Sequence, residues 1–129
     1  MIQHPDLLLH GPIVAKARPR VTRRGTFIPQ KYRHWKDGAI AELQRQWGNR
    51  PTIAEPIAIA IHLRGKHYKG SDLDNMAGSI MDALQQAGVI KNDNCGHVPS
   101  LSIRLAHDPA IAPFTTIVFA RIREPLKLL

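Results

Sequence analysis

A chain of 129 residues, 43% hydrophobic and 22% charged, fits one domain with a modest core and excludes a disordered chain. Eighteen Lys and Arg against ten Asp and Glu give a net charge of +8, a field that attracts nucleic acid or an anionic surface. No apolar run approaches the roughly 20 residues that cross a bilayer, so no membrane role is expected.

The stretch Met1–Pro12 carries no Lys or Arg, and its run Leu7-Leu8-Leu9 is too short for a signal-peptide core. Cys95 is the single cysteine, so no intrachain disulfide can form and a cytoplasmic location is the default. Residues 13–20 read as extended, with Pro12 and Pro19 arguing against helix. Period-two alternation then puts Lys16, Arg18 and Arg20 on one face. Arg23-Arg24-Gly25 reads as a hairpin turn leading into a short strand at Thr26–Ile28. From Lys16 to Lys36 there are eight basic residues and no acidic one. This stripe suits phosphate contacts without sequence readout, although a solvated surface gives the same pattern.

From Lys31 to Trp47 the period changes. Tyr32, Trp35, Ala39, Ile40, Leu43 and Trp47 recur at helical spacing, and Gly48 stands where the helix should end. The two tryptophans on this stripe read as core. Ile57, Ile59, Ile61 and Leu63 alternate as a half-buried strand. A polar loop from Gly65 to Ser71 follows. A second helix is predicted from Asn75 to Ala87, with Met76, Ile80, Ala83, Leu84 and Ala87 as its apolar stripe and Gly88 after it. Two further strands are predicted around Leu101–Leu105 and Thr116–Arg123. The order β, β, α, β, α, β, β predicts a single α+β domain over 1–129 with a mixed sheet and two main helices.

Beyond the basic run, Asp residues gather around 72–93. In an extended Ser71-Asp72-Leu73-Asp74-Asn75, the carboxylates of Asp72 and Asp74 point the same way. With Asp93 returned by the intervening helix, three carboxylates suit a hard cation with oxygen ligands. Such a cation neutralises phosphate charge and activates water, while the basic residues offset the repulsion of DNA. A helix cap explains Asp72 or Asp74 equally well. Asp82 is a further candidate carboxylate whose apolar flanks point to a salt bridge or supporting role. Glu42 and Glu55 read as solvated charges.

Asp72-Leu73-Asp74-Asn75-Met76, then Met81-Asp82-Ala83-Leu84, then Ala87-Gly88-Val89-Ile90-Lys91-Asn92-Asp93, resembles the signature of the RusA family of Holliday-junction resolvases. Lys16-Ala17-Arg18-Pro19-Arg20, followed by a glycine hairpin, is similar to the family's opening, and the resemblance spans residues 11–123. It implies a homodimeric fold and Mg²⁺-dependent endonuclease activity, with Mn²⁺ as a possible substitute. Four-way DNA junctions would be resolved by paired symmetric nicks. It also implies that Asp72, Asp74 and Asp93 are the metal-binding carboxylates. The family's lysine, four residues after the second Asp of the motif, is Gly78 here. Either another basic group substitutes, with Lys16, Arg18, Lys66 and Lys69 as candidates and Lys69 preferred for its nearness in sequence, or the chain binds branched DNA without cutting it. Flaps, forks and RNA are further substrates that the sequence does not separate from junctions. The expected DNA contacts are Lys16, Arg18, Arg20, Arg23, Arg24 and Lys66. His62 and His67 could touch phosphate, and Tyr68 and Phe27 could stack on bases. Cys95 and His97 alone make a poor zinc signature.

Overall fold

The computed structural model describes residues 3–16, 20–27 and 29–122. Among these the elements run β1 (Leu7–His10), β2 (Arg20–Thr22), β3 (Gly25–Phe27), α1 (Gln30–Trp47), β4 (Ile57–Gly65), α2 (Leu73–Gln86), β5 (Ser100–His107) and β6 (Phe114–Arg121). Strands β2 and β3 form a separate hairpin, with Arg23 and Arg24 in its exposed turn. The other four make a mixed sheet of order β1-β6-β4-β5, antiparallel except for the β4–β5 pair. A parallel pair needs a crossover, and α2 supplies it. The α+β class read from the sequence is the class observed.

The central strand explains the layering. Ile57, Ile59, Ile61 and Leu63 are all buried on one face of β4. In register beside them stand Phe119, Ile117 and Thr115 of β6, then Leu9 and Leu7 of β1. The stripes of both helices close this face: Ala39, Leu43 and Trp47 from α1, and Met76, Ile80, Ala83 and Leu84 from α2. Burying each such large aliphatic side chain contributes about 1.5–3 kcal/mol. Trp47 packs on Phe119 with ring centroids 6.0 Å apart, and Trp35 stacks on Tyr32 at 6.1 Å. Both tryptophans therefore serve the core.

Three readings need correction. Residues 13–16 are not a strand; the Lys16 N–H instead donates to Asn75 O at 3.1 Å, so this segment follows α2 rather than a sheet. Arg18 lies outside the described residues, as do the side chains of Arg20 and Phe27, Ile28, and the end of the strand predicted to reach Arg123. The first strand is Leu7–His10, in which Leu7 and Leu9 point into the core. Helix α2 begins at Leu73, two residues before the expected start.

Two local devices shape the sheet's borders. On the outer edge of β1, Gln46 Oε1 accepts the Leu8 N–H at 2.9 Å while its Nε2 donates to Leu8 O at 2.7 Å. That amide is steadied by Glu42, which also pairs with Arg45, so Glu42 is not merely a solvated charge. Glu55 is likewise partnered, by His4 at 3.4 Å. At the end of β4, Gly65 has φ +90°, and a Cβ there would lie 2.6 Å from Ala112 O. Only glycine tolerates both the angle and the contact.

Candidate active site

Helix α2 begins where the extended backbone of Asp72 gives way, its carbonyl accepting the Met76 N–H at 3.1 Å. Asp72 holds the N-cap position, yet its side chain makes no capping hydrogen bond. Its carboxylate is therefore not spent on the helix end, as the capping explanation would require. Asp74 stands in the first turn, where the helix dipole favours an anion, and its Oδ1 accepts the Asn75 N–H at 3.0 Å.

The early helix start alters the expected pairing of these carboxylates. Leu73 and Asp74 are already helical, and positions two apart on a helix do not share a face. Asp74 faces a groove between α2 and β5, and Asp72 is not among the groove's lining residues. Asp93 is there. After α2 the chain turns at Gly88 and buries Val89 and Ile90. It is pinned by the Ile53 N–H to Val89 O at 2.9 Å and the Lys91 N–H to Ile53 O at 3.1 Å. This anchored return brings Asp93 to the same groove as Asp74, as the sequence argument required.

The groove encloses about 530 Å³. Leu73, Ala77, Gly78 and Met81 of α2 form one wall; Val98, Leu101 and Ile103 form the other. It exists because β5 is an edge strand that α2 only partly covers, leaving Leu101 44% exposed. Among the described residues no three His, Cys, Asp or Glu side chains stand close enough to enclose a metal ion. Two oxygen-donor carboxylates on one open groove nevertheless fit Mg²⁺, which is commonly held by one or two carboxylates with water and substrate phosphate completing the shell.

The basic candidates separate in space. Lys66 and Lys69 are exposed on the loop between β4 and α2, and neither lies within 4 Å of the place a Cβ on Gly78 would take. Lys16 does: its Cδ is 3.5 Å and its Cβ 3.9 Å from that point. Its Nζ reaches Asp82 Oδ2 at 3.1 Å. The buried Tyr32 hydroxyl donates to the same oxygen at 3.3 Å. Burial first, and the Asp82 charge second, push the Tyr32 hydroxyl up to about 12. Asp82 therefore has the salt-bridge role that its apolar flanks suggested. The Lys16–Gly78–Asp82 arrangement was not readable beforehand, because no local spacing relates Lys16 to α2.

His67 is buried, with its Nε2 3.1 Å from Phe114 O, so it braces the loop after β4 and does not face phosphate. His62 lies on the sheet face turned away from the helices, in register with Arg104. Tyr68 is 71% exposed, with the phenol end of its ring beside Gly70.

An α+β sheet with a carboxylate-lined groove at the helix that follows its central strand is an arrangement suited to phosphodiester chemistry. The match to the endodeoxyribonuclease RusA family model over residues 10–112 establishes that the chain belongs to that family. The crossover junction endodeoxyribonuclease RusA of Aquifex aeolicus (strain VF5) is similar to it, 38% identical over 91 residues that cover 69% of this chain and 71% of the relative. Among the described residues no helix is long and apolar enough to cross a membrane.

Proposed function

We propose that this protein is a Mg²⁺-dependent, structure-selective endonuclease that resolves four-way DNA junctions by paired symmetric nicks. One observation carries the reading: Asp74 and Asp93, from separate parts of the family motif, meet on one groove. Asp74 and Asp93 hold the cation, and Asp72, whose carboxylate caps no N–H of α2, adds to the acidic set at the start of that helix. Mn²⁺, with the same oxygen preference, substitutes for Mg²⁺. The chemistry a bound Mg²⁺ supplies is positive charge at the scissile phosphate and a more acidic attacking water. Lys16, Arg23, Arg24 and Lys66 are exposed and hold the DNA backbone, with Arg18 and Arg20 extending the same basic run. Products are a 5′-phosphate and a 3′-hydroxyl. A two-fold dimer matches the near two-fold symmetry of a four-way junction and places one cut in each of two strands. The protein works where DNA is, in the cytoplasm.

Gly78 favours a second reading, a protein that grips branched DNA without cutting it. One experiment separates the two. A synthetic four-way junction and a linear duplex of matched sequence are incubated with the wild type and with Asp74→Asn, in Mg²⁺ and in EDTA. The nuclease reading expects paired nicks in the junction alone, lost in EDTA and in the variant. Tight junction binding without cleavage by the wild type establishes the second reading.

A further inference from the structure

The helix position where the family carries its lysine is bare, but the space beside it is filled. Gly78 lines the groove that Asp74 and Asp93 share, and the side chain of Lys16 passes beside it, its Cδ 3.5 Å from where a Cβ on Gly78 would stand, although Lys16 is not itself among the groove's lining residues. The Lys16 N–H donates to Asn75 O, one turn before Gly78, and its ammonium rests on Asp82, one turn after. The stem therefore runs along the face of α2 across the glycine.

We propose that Lys16 is a catalytic residue, supplying from outside α2 the cation that the family carries on α2 itself. This rests on the nuclease reading. A lysine ammonium reaches roughly 5 Å beyond its Cβ. With Cβ atoms 3.9 Å apart, a lysine at 16 and a lysine at 78 sweep overlapping volumes. A Cβ on a helix tilts toward the N-terminus, here toward Asp74. Glycine at 78 leaves that volume to Lys16: a Cβ there would meet the stem at ordinary van der Waals distance, and a longer side chain would share the space with it.

The resting ion pair does not lock the ammonium. Lys16 is 51% exposed and Asp82 20% exposed, and a pair open to water is weak and screened. A DNA phosphate entering the groove competes with Asp82 for the ammonium, and Tyr32 remains as the hydrogen-bond donor to Asp82 when it leaves. During hydrolysis the hydroxyl of water joins phosphorus, the P–O3′ bond breaks with its electron pair going to O3′, and the remaining water proton ends on O3′. Lys16 donates hydrogen bonds to a non-bridging oxygen as its charge grows and keeps its own protons. Such a group lowers the barrier without itself being consumed.

The test compares single-turnover junction cleavage and junction affinity in Lys16→Met, Lys69→Ala, Asp82→Asn and the double variant Lys16→Met/Gly78→Lys, each checked for folding by its thermal midpoint. Methionine keeps the stem over Gly78 and removes the charge. Lys16→Met should cleave about 100-fold more slowly, a loss well beyond the roughly severalfold rise in junction Kd expected from losing one phosphate contact. Lys69→Ala and Asp82→Asn should keep most of the cleavage rate, and Gly78→Lys should return Lys16→Met to within about tenfold of the parent. Asp82→Asn is the decisive control, because a purely structural ion pair would lose as much from either end. Equal losses in Lys16→Met and Asp82→Asn overturn the proposal, as does Lys16→Met cleaving at the parental rate, or Lys69→Ala being the variant that fails. A parent that binds junctions but never cuts them overturns the nuclease reading itself, and the proposal with it.

Discussion

Ile90 connects the core to the acidic groove, and its replacement by alanine tests that connection. The side chain is 2% exposed and lies beside Ile53, with which it forms a parallel bridge. Ile90→Ala removes three carbons, worth roughly 2.4 kcal/mol at about 0.8 kcal/mol per buried methylene. The cavity left behind brings the expected loss to about 3–4 kcal/mol. Against a total stability on the order of 5–15 kcal/mol, this is a large share. The main-chain bonds on either side, Ile53 N–H to Val89 O and Lys91 N–H to Ile53 O, do not involve the deleted atoms. Urea unfolding followed by circular dichroism measures the loss, and Ile90→Val, expected to cost about 1 kcal/mol, calibrates it. A loss below about 1 kcal/mol for alanine, with an unchanged denaturant slope, would refute the claim that the segment delivering Asp93 is anchored through the core.

Gly65→Ala should destabilise by about 2–3 kcal/mol, because the new Cβ meets the carbonyls of Ile111 and Ala112 at 2.7 and 2.6 Å and φ is +90°; a thermal midpoint unchanged from the parent would contradict this. The raised Tyr32 hydroxyl makes stability depend on alkaline pH. Its proton is held more tightly in the folded chain than in the unfolded one, so the stabilisation is complete below pH 10 and is lost as pH rises toward 12. Tyr32→Phe should remove that part of the slope, and at neutral pH should cost about 1 kcal/mol for the hydrogen bond to Asp82; denaturation curves at pH 9 and 11 check both.

The elements with strong periodicity were legible from sequence. Tyr32 to Trp47 and Ile57 to Leu63 each repeat a pattern that only one secondary structure satisfies, and both are found where expected. Strand β1 was hidden because Leu7-Leu8-Leu9 does not alternate in composition, although its burial alternates once β6 lies beside it. Around the groove, the sequence offered Asp93 as a further carboxylate without fixing the chain's return; the turn at Gly88 and the burial of Val89 and Ile90 bring it beside Asp74. The parallel aim of Asp72 and Asp74 did not survive, since it assumed extended backbone through Leu73. The position of Lys16 over Gly78 is purely tertiary. It arises because residues 13–16 track α2, with the Ser79 hydroxyl donating to Val14 O at 2.7 Å, and no local pattern encodes that choice.

The amide of Gln46 on Leu8 has a consequence for assembly. A sheet with two open borders can add strands at both and grow into a filament; one with a single open border can be extended only once. By meeting both the N–H and the carbonyl of Leu8, Gln46 acts as a one-residue false strand that terminates the sheet at β1. At the opposite border no side chain among the described residues makes a comparable bond to β5, and Leu101 is left partly in water. Edge-to-edge association, were it to occur, would therefore be self-limiting: pairing at β5 would stop at two copies, short of the filament that a two-bordered sheet would permit.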